Sequence, residues 1–495
     1  MEVNNLINGR MCAPQSDHRA DVFNPSTGER IAQVSLSSAD ECRLAVNAAS
    51  AALRNWRNTP VVDRARVMFR YRELLELHFD QIAQLITTEH GKTVAESRAE
   101  LKRGIEVVEF ACGIPSLFMG QTLANIAADV DSDVQRHPVG VCLGITPYNF
   151  PAMVPMWMFP IALVCGNTFI LKPSEKVPLS AMKLGELLHE AGCPDGVFNV
   201  VHGDRTAVES LLNDPDLAAV SFVGSTPAAK AVYAAGTTSG KRVQAAGGAK
   251  NFCLIMPDAD PDLAVKALAA ASYGCGGQRC MATSIAVPVG GIADSLVDRL
   301  SSYAASLSVG PTHTGDNVDM GPLIRRDHVD YVSSCLDQAT QDGAAIALDG
   351  RQQFEGNGFL LGPSVVDHVS FDSRIAREEI FGPVLSIIRA QTLDEAIRLS
   401  HQCKFGNGAS IFTSSGASAR RFREEFNAGM IGVNVGVPAP MAWFPFTGWN
   451  GSFFGDLHVQ GSEGIQFYTR QKVTLTRWPQ RTDDFEDPIW SSGRD

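Results

Sequence analysis

At 495 residues the chain is long enough for two or three domains, each burying its own core. A content of 45% hydrophobic and 19% charged residues excludes an intrinsically disordered chain. The 42 basic against 54 acidic residues leave a net charge of −12, a field that repels phosphate backbones and anionic membrane surfaces, so nucleic acid and membrane are not expected partners.

The start, Met1-Glu-Val-Asn-Asn-Leu-Ile-Asn-Gly-Arg10, carries no basic stretch followed by an apolar one, so no signal peptide is read there. Residues 40 to 112 have helix spacing, with a basic amphipathic stretch at Arg64 to His78, and read as a helical cover layer. From residue 139 short apolar runs recur. Val139 to Ile145, Thr168 to Lys172, Val197 to Val201, Ala219 to Val223 and Arg242 to Ala245 read as strands, separated by helices at 179–191, 206–213 and 226–235. That alternation implies crossover connections and a parallel sheet covered by helices. The apolar run Met153 to Cys165 is too short to span a bilayer and reads as a buried helix.

A second series follows, with strands expected at Phe252 to Met256, Ser284 to Val289, Ile346 to Leu348, Val384 to Ile388 and Met430 to Asn434, and helices at 261–272, 392–403 and 417–428. Two α/β domains are expected, with a ligand in the crevice between them at the carboxyl ends of the strands. Residues 120–138 and the tail from 463, with strand-like Gly464 to Thr469 and Lys472 to Arg477, fit neither sheet and are expected to pair as an arm. Eleven cysteines with no C-x-x-C pair suggest neither a disulfide framework nor a metal centre, and fit a reducing, cytoplasmic location.

Five motifs carry chemistry. Cys280 lies in Gly274-Cys-Gly-Gly-Gln-Arg-Cys-Met281, a small-residue loop that substrate can approach closely. Asn149, in Gly144-Ile-Thr-Pro-Tyr-Asn-Phe-Pro151 after a strand, offers amide donors to a developing oxyanion. Leu171-Lys-Pro-Ser-Glu175 places a cation and an anion to grip ribose hydroxyls or phosphate. Phe222-Val-Gly-Ser-Thr-Pro227 runs a strand into a helix N-terminus suited to pyrophosphate, although no Gly-x-Gly-x-x-Gly fingerprint is present. Glu378-Glu-Ile-Phe-Gly-Pro-Val384 sets paired carboxylates before a strand. Singly, each also fits a turn, a helix cap, a surface ion pair or a buried structural thiol.

In this order the five motifs resemble the aldehyde dehydrogenase superfamily over about residues 5 to 478. Arg103-Gly-Ile-Glu-Val-Val-Glu-Phe110, Gly248-Ala-Lys-Asn251, Gly277-Gln-Arg-Cys-Met-Ala282, Val433-Asn434 and Gly464-Ile-Gln-Phe-Tyr-Thr469 resemble its coenzyme-A-acylating methylmalonate-semialdehyde dehydrogenases. The resemblance implies two open parallel-sheet α/β domains plus a β oligomerisation arm. The NAD-binding domain would span 1–119 and 139–248, the catalytic domain 249–462, and the arm 120–138 and 463–495, giving a homodimer or homotetramer. It implies NAD as cofactor and coenzyme A as co-substrate, Cys280 as nucleophile and Asn149 as oxyanion donor. Thr146, Tyr148, Lys172, Glu175, Lys176, Ser225, Gly247, Glu379 and Phe381 would line the cofactor, and Arg103 and Arg279 would bind a substrate carboxylate.

Hydrolytic members carry Glu-Leu-Gly-Gly-Lys where this chain has Ala246-Gly-Gly-Ala-Lys250, so the glutamate that deprotonates water is replaced by Ala246. A thiol is then the better deacylating nucleophile, as coenzyme A supplies. The acylating group itself commonly reads Asn-Met-Gly-Ala-Lys-Asn-His where this chain reads Ala246-Gly-Gly-Ala-Lys-Asn-Phe252. These departures lie beside the expected nicotinamide and acyl sites and bear on substrate preference and deacylation, and Phe252 also reads as a core substitution. The rival expectations are a hydrolytic enzyme releasing a free acid and, less favoured, a non-catalytic protein on the same fold.

Overall fold

The computed structural model describes residues 1–312, 318–351, 354 and 356–478. Four helices, Ala39–Asn58, Val61–Leu77, Phe79–His90 and Val94–Cys112, fill the segment read as a helical cover. Two of them start on reciprocal caps in which Ser38 or Thr93 accepts from the backbone N–H of Glu41 or Glu96, and that glutamate accepts in return.

An eight-stranded sheet runs in the order Phe453–Phe454, Arg242–Ala246, Leu217–Val223, Val141–Ile145, Thr168–Lys172, Phe198–Val200, Asn5–Ile7, Arg10–Cys12. Its five central strands are parallel and its edge strands antiparallel. The chain enters at Val141–Ile145, builds outward through Thr168–Lys172 and Phe198–Val200, then crosses back to Leu217–Val223 on the other side. That reversal opens a crevice at the carboxyl ends of Val141–Ile145 and Leu217–Val223. The Met153–Val164 helix, almost wholly apolar and buried, packs behind it. Sharing one core with the cover helices is what makes so hydrophobic a helix tolerable.

The seven-stranded second sheet has the order Ala345–Leu348, Ser364–Asp367, Val384–Ile387, Thr283–Pro288, Asn251–Ile255, Gly408–Phe412, Met430–Val433, parallel except for its first pair. Phe252 lies in this sheet's core against Phe371 and Phe426.

A third sheet joins Gln121–Ala127, Val130–Pro138 and Thr469–Arg477, the last two antiparallel over nine residues from Thr469 opposite Pro138 to Arg477 opposite Val130. The segments expected to pair thus form a sheet, and the part of the expected arm from residue 479 onward lies outside the described residues. Gly464 to Thr469 is not a strand: Gly461–Phe467 is a helix. Its residues Gly461, Gly464 and Ile465 and its C-cap Tyr468 are buried, positions i, i+3, i+4 and i+7 that fall on one helical face. The β-prone Ile, Phe, Tyr and Thr misled because their packing follows a helical period. No helix among the described residues is long and apolar enough to cross a membrane.

Candidate active site

The reactive loop follows the Pro261–Tyr273 helix. Cys275, Gly276 and Gly277 all have positive φ, which turns the chain tightly enough to return Cys280 beside the second sheet. At Gly277 a Cβ would lie 2.2 Å from the Gly382 carbonyl oxygen, so only glycine fits there. The Cys280 carbonyl accepts from the side-chain amides of Asn251 and Asn407, both at 2.9 Å. Asn251 opens one parallel strand and Asn407 precedes the next. The thiol thus sits at the amino edge of its sheet, not at the carboxyl edge expected from the fold rule. The rule holds for ligands drawn to loops after strands. Here two neighbouring strand starts supply amide donors that fix the peptide of Cys280 itself.

Burial pushes the half-buried Cys280 thiol up to about 12, with the charge of Glu379 adding to it. The resting group is a thiol, and its anion fraction grows with pH. The cofactor-free protein is therefore expected to react with iodoacetamide at Cys280 at a rate that climbs from about pH 7 to 10 without levelling. A plateau below about pH 9, followed by peptide mapping, would contradict the burial argument.

Asn149 is buried at the turn after Val141–Ile145, and its Nδ2 donates to the Gln278 carbonyl at 3.0 Å, two residues before Cys280. Gln278 in turn accepts from the Ile324 N–H and donates to the Cys275 carbonyl. The turn and the Cys280 loop are therefore tied at their tips.

A cleft of about 490 Å³ is lined by Cys280, Arg103 and Arg279 together with apolar walls from Phe150, Met153, Trp157, Val437 and Phe446. Arg279 donates to Glu96 (3.0 Å) and to the Cys275 sulfur (3.2 Å), and Arg103 to Glu106 (3.0 Å) and the Pro440 carbonyl (2.8 Å). Each guanidinium has five N–H donors, so each keeps some for a ligand while its orientation is already set. Glu96 carries two loads. One oxygen caps its own helix, and the other receives the Cys275 N–H at 2.6 Å as well as Arg279.

The sequence pattern of the aldehyde dehydrogenase family matches residues 12–474. The chain belongs to this family. A malonate-semialdehyde dehydrogenase of Geobacillus kaustophilus is 49% identical over 476 residues, covering 96% of this chain and 98% of that one. A malonate-semialdehyde dehydrogenase of Pseudomonas aeruginosa is 50% identical over 483 residues, with 97% of each covered. Among solved structures, a methylmalonate-semialdehyde dehydrogenase of Oceanimonas doudoroffii superposes with a TM-score of 0.95 at 47% identity, covering 97% of this chain and 99% of that one. A Sinorhizobium meliloti protein solved as a complex with NAD has a TM-score of 0.96 at 44% identity, covering 98% and 99%.

As in an aldehyde dehydrogenase, a dinucleotide needs a cradle, and the crevice of the first sheet has the features of one. Thr146, at the end of Val141–Ile145, has a buried hydroxyl with no partner. Ser225, at the end of Leu217–Val223, caps the Thr226–Thr238 helix without a side-chain bond, leaving N–H groups of the first turn free for an anion. Lys172 and Glu175 lie 3.7 Å apart at the end of the neighbouring strand, and burial lowers the Lys172 ammonium. Lys176 sits 4.9 Å from the centre of the Tyr148 ring, which stacks on His90 and meets the edge of Phe381. Gly247 leaves a gap that a Cβ would close against Gly451 and Thr226. Glu379, raised by burial to about 7, accepts from the Ala249 N–H across the crevice.

Sequence reasoning missed Glu96, Glu106, Gln278 and Asn407. Glu96 was visible as the third residue of a Thr-x-x-Glu cap. Asn407 carries no local signal, because its partner is 127 residues away.

Proposed function

We propose that the chain is an NAD-dependent, coenzyme-A-acylating dehydrogenase that oxidises and decarboxylates malonate semialdehyde, methylmalonate semialdehyde or both, forming acetyl-CoA or propionyl-CoA. The observation that carries this reading is the placing of two guanidinium groups in one cleft with the Cys280 thiol. A plain aldehyde has no use for them, whereas a semialdehyde acid presents one carboxylate a few bonds from its carbonyl.

In this reading Arg103 and Arg279 hold the carboxylate and the Cys280 thiolate adds to the aldehyde carbon. The alkoxide is held by the Asn149 amide and the Cys280 N–H. Thr146, Tyr148, Lys172, Glu175, Lys176, Ser225, Gly247, Glu379 and Phe381 hold the cofactor. What bound NAD supplies is a hydride acceptor for the carbon attached to sulfur. The acyl group left on Cys280 carries a carboxylate on its α-carbon, and the adjacent thioester carbonyl accepts the electron pair as carbon dioxide leaves. Ala246 is a buried methyl in the apolar cluster against which Cys280 packs, so no carboxylate at that position activates water. The thiol of coenzyme A takes the acyl group, and its proton balances the one gained by carbon.

The domain assignment that goes with this reading is 1–119 and 139–248 for the cofactor and 249–462 for catalysis, with Phe453–Phe454 crossing to the first sheet. Exposed Leu123, Ile126, Val473 and Leu475 on the arm support its seating on another copy of the chain, as a dimer or tetramer. Eleven free thiols support a reducing, cytoplasmic setting.

Product analysis tests the function. Malonate semialdehyde with NAD and coenzyme A should yield acetyl-CoA, carbon dioxide and NADH in equal amounts, and release of free acid as the main product would overturn it. The arginines are tested separately. Charge-assisted hydrogen bonds contribute about 1.5–3 kcal/mol each, so Arg103→Leu and Arg279→Leu should each lower kcat/KM for a semialdehyde acid by about tenfold or more. Propanal, which lacks a carboxylate, should be far less affected. Equal losses on both substrates would assign the arginines to structure alone.

A further inference from the structure

Lys92 is the least expected side chain near the site. It follows Gly91, whose left-handed φ ends the Phe79–His90 helix, and it precedes the Thr93 cap of the next helix. Its side chain is fully buried, with its Nζ 4.3 Å from the centre of the Phe150 ring. There the ammonium donates to Glu100 Oε2 at 2.6 Å and to the Asn149 carbonyl at 2.6 Å. Glu100, equally buried, accepts with its other oxygen from the N–H groups of Ala152 (2.9 Å) and Met153 (3.1 Å). Those are the N-terminal donors of the Met153–Val164 helix, which has no side-chain cap of its own.

The pair thus grips the Asn149 turn at both ends, by a carbonyl on one side and two amides on the other. A buried ion pair is no better for stability than well-packed apolar side chains of similar volume. What it does supply is a fixed position, because each charge has defined partners on named backbone atoms.

We propose that the Lys92–Glu100 pair is a positioning device for the oxyanion donor, setting where the Asn149 amide points relative to Cys280. This rests on the reading of Asn149 as the oxyanion donor. Neither side chain touches the reacting atoms in this proposal; both act through the backbone of residues 149–153. Asn149 is held from its carbonyl by Lys92 and from its side chain by the Gln278 carbonyl, so losing the first lets the amide follow the second.

The test uses the full-length protein and propanal, which keeps the substrate arginines out of the measurement. The variants are Lys92→Met, the apolar replacement Lys92→Met with Glu100→Leu, Asn149→Ala, and the combination of all three changes. The readouts are single-turnover NADH formation at saturating NAD, NAD affinity by fluorescence, and thermal midpoint. The double variant removes both charges together, so no unpaired charge is left buried, and the thermal midpoint reads what the two freed amides cost.

The double variant should form NADH about 10²-fold more slowly, the scale set by misplacing a reacting group or losing an oxyanion donor, with NAD affinity unchanged. Added to Asn149→Ala, it should cost less than about threefold more, since residues acting through one group are not additive. Wild-type rates in the double variant would overturn the proposal. So would losses that multiply with Asn149→Ala, which place the pair's effect elsewhere. A wild-type rate in Asn149→Ala alone would instead overturn the oxyanion reading on which the proposal stands.

Discussion

Replacing Cys280 with alanine is expected to abolish aldehyde-dependent NADH formation, a loss of about 10⁴-fold or more, while NAD still binds. In the proposed mechanism the thiol makes the covalent bond on which every later step depends. Its backbone is fixed through its carbonyl by Asn251 and Asn407, so removing the sulfur leaves the loop in place. The cofactor cradle is built chiefly from loops of the other sheet. Cys275→Ala is the matched control. It removes one acceptor from Arg279 but keeps the Cys275 N–H on Glu96, and should stay largely active. The check is NADH production alongside an NAD fluorescence titration for both variants. Turnover by the Cys280 variant near the wild-type rate would remove the nucleophile assignment.

Withholding coenzyme A should convert steady turnover into one burst of NADH followed by slow release. Acyl transfer to water needs a base, and position 246 offers only a methyl in an apolar cluster. Ala246→Glu should place a carboxylate at the carboxyl end of Arg242–Ala246. Burial there raises its pKa, which suits a base working near neutral pH. The coenzyme-A-independent rate should rise by up to about 10²-fold, the scale of general base catalysis. Stopped-flow NADH traces with and without coenzyme A check both claims, with the thermal midpoint as a control for folding. Rapid steady acid release by the wild type without coenzyme A would replace the acylating assignment with the hydrolytic one.

The strands of the first sheet were legible because both of their faces are covered, which writes them as short apolar runs. Thr168–Lys172 was read to the residue. The helix Gly461–Phe467 was not, since seven residues are too few to separate a period of 3.6 from β-prone composition. The short strands Glu2–Val3 to Glu29–Ser35 at the start of the chain were missed for a related reason. Apart from Asn5–Ile7 their burial is patchy, and three of them, Glu2–Val3, Arg10–Cys12 and Arg19–Asn24, are edges. Within the site, the residues proposed to meet substrate and cofactor stand in short motifs, so the sequence offers them as candidates together. Lys92, Glu100 and Asn407 act on backbone atoms distant in sequence, and nothing beside them announces the contact.

In the proposed site the Cys280 sulfur belongs to the amino edge of one sheet and the cofactor crevice to the carboxyl edge of another, so the distance between them is a property of how the two halves meet. A relative slip of about 1 Å is enough to cost on the order of 10²-fold in rate, although neither half need lose a contact with its own ligand. Occupancy and turnover are therefore separable in this chain. A change far from both ligands, at the seam where Phe453–Phe454 of the later segment joins the first sheet, can leave two intact receptors that no longer make one catalyst.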